Sequence, residues 1–219
     1  TGGLMTQFSS ITTPYGTTQF EQPFISYGSF DRAVVVTLPT GAREVYLLID
    51  DYGGGDIPSF DSAQLPTDTP FSTIGYPLGT IETTSREQRN TFYWNAQQYS
   101  SLSNTNIETM SWAEFKRART RHWLWKLSPI LYNHVDTLNH EQLPSPDSGT
   151  TEGAITWYDY DGKSYTSPEM RGSRMEPAVI ARVQPDGSTW WTQYKRNDWG
   201  RATNEIERWI ENGSDRRRT

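Results

Sequence analysis

The chain has 219 residues, a formal net charge of -6, no cysteine, nine Trp and twelve Tyr. The lack of cysteine excludes disulfides and thiolate chemistry, and the mild acidity gives no reason to expect a nucleic-acid partner. No apolar run approaches a membrane-spanning length, the aromatic content argues against disorder, and abundant Gly, Ser, Thr, Asn and Pro suit short strands joined by tight turns.

In chain order, Ile11 to Phe20 reads as two β-prone arms around a Pro14-Tyr15-Gly16 turn. The opening Thr1-Gly2-Gly3 carries no initiator Met, so a processed chain or a segment of a longer one is expected. Asp31 to Leu38 and Arg43 to Asp50 form a hairpin turned at Pro39-Thr40-Gly41. Alternation sets Val34 and Val36 against Val35, and Tyr46 and Leu48 against Val45, Leu47 and Ile49. Both faces of this hairpin are apolar, which predicts cover on each side.

Residues 51–88, rich in Gly and Pro, read as an ordered loop excursion pinned by Phe60, Leu65, Phe71, Ile74, Tyr76 and Leu78. Arg89 to Trp94 is a short aromatic strand. Ser111 followed by Glu114 matches a capping box and predicts one helix over about 111–127, ended by Pro129. Phe115, Ala118, His122 and Trp125 would be its packed stripe, and the basic run Lys116 to Arg121 its solvated or salt-bridged face. Residues 128–152 read as a second loop excursion.

The last third returns to strands. Ala154 to Tyr160 and Lys163 to Thr166 flank an Asp161-Gly162 turn, and Glu176 to Gln184 carries Val179, Ala181 and Val183 on one side. Asp186-Gly187 is a strong hairpin signal. Beyond it Trp190, Thr192 and Tyr194 share one face, while Trp191, Gln193 and Lys195 share the other. Asn197 to Gly200, followed by Arg201, turns the chain again. Residues 204–212 then suit a strand better than a helix, with Ile206 and Ile210 opposite Trp209. The whole reads as mainly β, antiparallel hairpins with long loops and one inserted helix, in a single segment spanning 1–219.

Several motifs together resemble the Rhs/YD-repeat proteins of bacteria. They are Pro185-Asp186-Gly187, Thr192-Gln193-Tyr194 and Asp198-Trp199-Gly200-Arg201, preceded in order by Thr12 to Phe20, Val36 to Gly41, Arg89 to Trp94, Ala118 to Leu124 and Trp157 to Tyr160. Lys195-Arg196 stands where Tyr-Asp is commoner in that family, and the excursions at 51–88 and 128–152 interrupt any regular repeat. The resemblance implies a cocoon-like spiral sheet forming part of a hollow shell. Such a segment would wall off a lumen or support a surface or extracellular assembly. Its structural turns would be Pro14, Gly16, Pro39, Gly41, Asp186, Gly187, Gly200 and Arg201. Its partners would be the rest of the polypeptide or other subunits, pairing at the sheet edges.

A reading of a different class rests on the aromatics. Trp190, Trp191 and Trp199 lie close in sequence and could stack on sugar faces, giving a carbohydrate-binding or adhesive module. A solvent-accessible row of two or more favours binding; burial of all three favours a pure scaffold. No catalytic constellation, phosphate-binding loop or dinucleotide signature is present, so a non-enzymatic role is expected. His134 with Asp136, and His140 with Glu141, match no zinc spacing, and His122 reads as a packed ring. Asp50, Asp51 and Asp56 beside Gly53 to Gly55 could hold Ca²⁺ through oxygen ligands, although an ordinary acidic turn explains them better. Asp159 with Asp161 is a possible carboxylate pair for glycoside hydrolysis, and Thr1 a possible N-terminal nucleophile.

Overall fold

A computed structural model describes residues 9–23, 32–49, 66, 69, 89–127, 132–162, 174–211 and 214–219, with only the backbone described for 125–127, 132–136, 210–211 and 214–215. The elements in order are β1 (Ser10–Thr13), β2 (Gly16–Glu21), β3 (Arg32–Thr37), β4 (Arg43–Ile49), β5 (Asn90–Trp94), α1 (Ala96–Ser100), a 3₁₀ turn (Ile107–Thr109), α2 (Trp112–Phe115), β6 (Arg119–Leu127), β7 (Tyr132–Gln142), β8 (Ile155–Asp159), β9 (Val179–Val183), β10 (Thr189–Arg196), β11 (Ala202–Glu211) and β12 (Ser214–Arg218). The strands form one 12-stranded sheet in strict sequence order, each antiparallel to the next.

Because paired residues in an antiparallel ladder point the same way, the strand registers sort the side chains into two faces. One face is sealed. On it Ala33, Val35, Val45, Leu47, Ile49, Phe92 and Trp94 pack against Tyr99, Leu102, Ile107, Met110, Phe115 and Ala118 of the helical insert. A second cluster on the same face joins Ile155, Trp157, Ala181, Val183 and Trp191. Between the two clusters His122 stacks on His140 at 4.8 Å, and His140 lies 4.2 Å from Trp157.

One carboxylate locks the insert in place. Buried Glu114 accepts hydrogen bonds from Ser111 N–H at 2.7 Å, Asn104 N–H at 2.5 Å and the hydroxyls of Ser103 and Ser111 at 2.9 and 3.1 Å. The backbone carbonyl of the same residue accepts from the indole of Trp94 at 3.1 Å, tying the insert to β5. Residues 143–154 latch on in turn: Ser145 N–H donates to the Lys116 carbonyl at 2.7 Å, and Lys116 pairs with Glu152 at 3.3 Å.

Several expectations are corrected. Among the described residues β1 and β12 stand at opposite edges and do not pair, so the sheet they form is open rather than closed or curled and makes no shell or lumen. Hairpin motifs and their order are the same in an open and in a coiled sheet, which is why they could not tell the two apart. The helix expected over 111–127 stops at Phe115, and Arg119–Leu127 is a strand pairing on both sides, with β5 and β7. The capping interaction is real but covers one turn; beyond it alternating Thr120, His122 and Leu124, all buried, follow a period of two. Tyr132–Gln142, inside the expected second loop, is an eleven-residue strand, leaving 143–154 as loop. In the β3–β4 hairpin only one face is sealed; Tyr46 on the other is exposed. The 51–88 excursion lies outside the described residues except Pro66, Thr69 and nothing more, and Lys163 to Thr166 lies outside them entirely.

Burial pushes the Glu114 carboxyl up, but its hydrogen bonds to Ser111, Ser103 and Asn104 outweigh that and hold it below the usual range. A depressed folded pKa stabilises at pH values above the unfolded carboxylate value and ceases to do so as pH falls through the folded one. We therefore expect Glu114→Gln to cost about 1–3 kcal/mol at neutral pH, with the gap to the native chain narrowing in acid. Urea unfolding at the two pH values checks this; a gap independent of pH would refute it. A Cβ on Gly153 would fall 1.9 Å from the Leu143 carbonyl oxygen, whereas one on Gly187, at φ +83°, meets nothing within 4 Å. Gly187→Ala should thus cost about 1–2 kcal/mol from left-handed strain alone, and thermal melts should show Gly153→Ala to be the more damaging.

Candidate functional site

The sheet's other face carries the candidate site. Its strands are the same, but its side chains are half-buried to exposed, and the concave part lies over β9, β10 and β11. A cavity of about 440 Å³ is lined there by Ile180, Arg182, Trp190, Thr192, Tyr194, Glu205, Glu207 and Trp209, together with Trp191 and Arg208. The ladder sets Trp190 against Arg182, Thr192 against Ile180 and Glu207, and Tyr194 against Glu205. Continuing the β10–β11 register one step past Trp191 and Arg208 brings Trp209 beside Trp190. Two indoles on neighbouring strands therefore line the cavity as its aromatic platform, beside a guanidinium and two carboxylates.

A bulge makes this arrangement. The register shifts between Lys195 and Arg196, which pair with Asn204 and Ala202, so Thr203 is the extra residue on β11. Its hydroxyl donates to the Lys195 carbonyl at 3.1 Å. Were Thr203 paired in regular register rather than bulged, every side chain of β11 beyond it would point to the opposite face. Arg208, not Trp209, would then stand beside Trp190.

Charges around the platform are placed by pairing. Glu207 bridges to Arg218 of β12 at 2.6 Å, and the Arg196 guanidinium lies 4.9 Å over the Tyr194 ring. Farther along the same face Glu141 accepts from Arg119 at 2.7 Å and from the Tyr158 hydroxyl at 2.9 Å, with Arg121 at 3.7 Å. Burial raises the Glu141 carboxyl, yet Arg119, Tyr158 and Arg121 together hold it below the usual range. Burial, and then the Glu141 carboxylate, push the Tyr158 phenol up to about 12. Tyr46 stacks on Tyr93 at 4.6 Å; burial, Tyr46 and Glu44 push Tyr93 up to about 12 as well.

Of the three tryptophans singled out from the sequence, Trp190 is 45% exposed and in the cavity, and Trp191 is 8% exposed in the sealed-face cluster. Trp199 is 86% exposed in the turn at the far end of β10, so it does not join Trp190 in one row. Trp209, Arg182, Glu205 and Glu207 were not anticipated as site residues; only the register brings them to Trp190. The turn residues fall between strands: Pro14 to Gly16 joins β1 and β2, Pro39 to Gly41 joins β3 and β4, Asp186-Gly187 joins β9 and β10, and Gly200-Arg201 joins β10 and β11. Asp186 accepts from the Ser188 N–H at 2.9 Å, and Pro39 packs over Gly16, linking the first two hairpins.

The other candidates do not assemble. Asp159 is buried on the sealed face while Asp161 is exposed in the turn that follows. His122 sits between Arg89, 3.2 Å from Nε2, and Asn90, 2.9 Å from Nδ1. Because a guanidinium can only donate, Nε2 accepts and Nδ1 carries the proton, as a packed neutral ring. Among the described residues no three His, Cys, Asp or Glu side chains gather as metal ligands. Asp50, Asp51, Asp56, the His134 side chain and Thr1 lie outside the described residues. Also among the described residues, no helix is long and apolar enough to cross a membrane. Comparison with family models, with curated proteins and with solved structures finds no match to this chain.

Removing the Glu141 charge should let Tyr158 ionise more easily. We expect Glu141→Gln to bring its pKa part of the way from about 12 toward the ordinary phenol value. A tyrosinate absorbance titration, taken as a difference against Tyr158→Phe, measures it; an unchanged curve would show that burial alone sets the shift.

Proposed function

We propose that this chain is a carbohydrate-binding module that holds its ligand on the β9–β11 face. The observation that carries the reading is that Trp190 and Trp209 both line one concavity that also presents Arg182, Glu205 and Glu207. A pyranose ring has an apolar C–H face and a polar rim. An indole pair accepts the first, and guanidinium and carboxylate groups can donate to and accept from the hydroxyls of the second. A cavity of about 440 Å³ is of the size that small ligands occupy. An extracellular or cell-surface site of action belongs to this proposal, as the setting in which such glycans are met.

A second class of partner is supported by the two open edges. Among the described residues, β1 and β12 each leave one rim of backbone donors and acceptors without a strand beside it in the sheet. We read these as places where further strands, from the same polypeptide or another subunit, could add. The kinship with Rhs/YD-repeat proteins is likewise kept as a proposal, supported by the order of the turn and strand motifs.

The glycan reading is tested with a glycan array followed by calorimetry on the best binder. We expect Trp190→Ala and Trp209→Ala each to weaken affinity about tenfold, or about 1.4 kcal/mol, with Trp199→Ala unchanged. Affinity that depends on Trp199 and not on Trp190 would refute the placement of the site.

A further inference from the structure

The open face carries a regularity that extends well beyond the cavity. Following the pairs strand by strand, Arg32 lies beside Leu48, Leu48 beside Thr91, and Thr91 beside Arg121. Arg121 then lies beside Glu141, Glu141 beside Thr156, and Thr156 beside Arg182. Arg182 lies beside Trp190, Trp190 beside Trp209 one register step past the Trp191–Arg208 pair, and Trp209 beside Arg216. A single cross-strand row thus runs from β3 to β12, and every third strand in it, β3, β6, β9 and β12, contributes an arginine. Arg32, Arg121, Arg182 and Arg216 are all exposed. With strands about 4.8 Å apart, successive guanidinium groups start about 14 Å from one another.

Resting on the glycan reading above, we propose that the ligand is an extended acidic polysaccharide lying across the strands along this row. Its acidic groups would meet the arginines, and its sugar rings would rest on the Trp190 and Trp209 platform. Charge complementarity carries the argument. The chain as a whole is acidic, with a formal net charge of -6, yet this row concentrates arginine against the single carboxylate of Glu141. Arg119, next to the row, draws on that same carboxylate at 2.7 Å, so two guanidinium groups share one counter-charge. The spacing separates this ligand from a nucleic acid. Phosphates recur about every 3.4 Å along a duplex strand, and single strands follow continuously basic grooves. One arginine per three strands, interrupted by Glu141 and flanked by Glu205 and Glu207, suits a polymer whose charges are widely spaced and whose intervening units offer hydroxyls.

Binding to the intact chain is measured with polygalacturonate and dextran sulfate, each beside its neutral counterpart (fully methyl-esterified polygalacturonate and dextran), and with poly(dT). The expected result is at least tenfold tighter binding of one acidic polymer than of its neutral form, weakening as salt rises. Which of the two binds identifies carboxylate or sulfate as the acidic group. Arg182→Ser should weaken both long polymers and short oligomers of the binder. Arg32→Ser and Arg121→Ser should each weaken the long polymer about threefold and leave short oligomers unchanged, because only a long chain reaches from the platform to β6 and β3. Unchanged melting temperatures and recovery with Arg121→Lys exclude misfolding. Equal binding of acidic and neutral forms overturns the acidic class while leaving glycan binding intact, and preferential binding of poly(dT) overturns it in favour of nucleic acid. Failure of every glycan to bind removes this inference together with the reading beneath it.

Discussion

Everything on this molecule's working face depends on how completely the opposite face is sealed. A strand can exchange its two sets of side chains by slipping one residue, and a sheet with two similar faces does little to prevent it. Here slippage would drive Val45, Leu47, Phe92 and Trp94 out of a core in which each is at most 1% exposed. The cap that makes this burial possible is short: a five-residue helix, a 3₁₀ turn and a four-residue helix. Helices of that length have no stability of their own in water. Glu114 compensates by gathering backbone and side-chain donors from Ser103, Asn104 and Ser111 into one buried cluster, which holds the insert over β3 to β5.

Register is then carried outward from that sealed core, one hairpin at a time, to the edge where the tryptophans lie. The register shifts within the β6–β7 pair around Trp123, and again in the β10–β11 pair at the Thr203 bulge, just after the turn that precedes β11. The opposite facing of Ile206 and Trp209 that the sequence of β11 suggests is kept. Trp209 reaches the open face while Ile206 joins the sealed cluster. One unpaired residue in a ladder thus decides whether the concavity holds two indoles or an indole and a guanidinium.

Much of the fold was legible in the sequence because it is written with a period of two. The arms of the β3–β4 hairpin, the turn at Asp186-Gly187, and the opposite facing of Trp190 and Trp191 all follow from alternation and turn chemistry. The segment from Arg119 onward was misread because a true capping signal at Ser111 and Glu114 precedes it, and buried positions at 115, 118 and 122 fit a helical spacing as well. What separated strand from helix was pairing with β5 and β7, residues far away in sequence. The site was half legible for the same reason. Trp190 stood out as an aromatic, but Arg182, Glu205, Glu207 and Trp209 have no local signature and become neighbours only through registers that a bulge alters.

The open sheet also changes what the aromatic richness of the chain is for. In a closed shell both faces meet protein or lumen, and large side chains on each would be packing material. In an open meander sealed on one side only, the aromatics divide: Phe92, Trp94, Trp157 and Trp191 are buried, while Tyr46 and Trp190 keep nearly half their surface in contact with solvent. Leaving an indole in water forgoes the stabilisation of burying it, and a fold able to bury Trp191 at the adjacent position had the means to do otherwise. The arginines follow the same logic. On a half-sealed sheet they can lie only on the open face or at its margins without losing hydration. Four of them then fall into one cross-strand row, since the meander returns to that row once per strand.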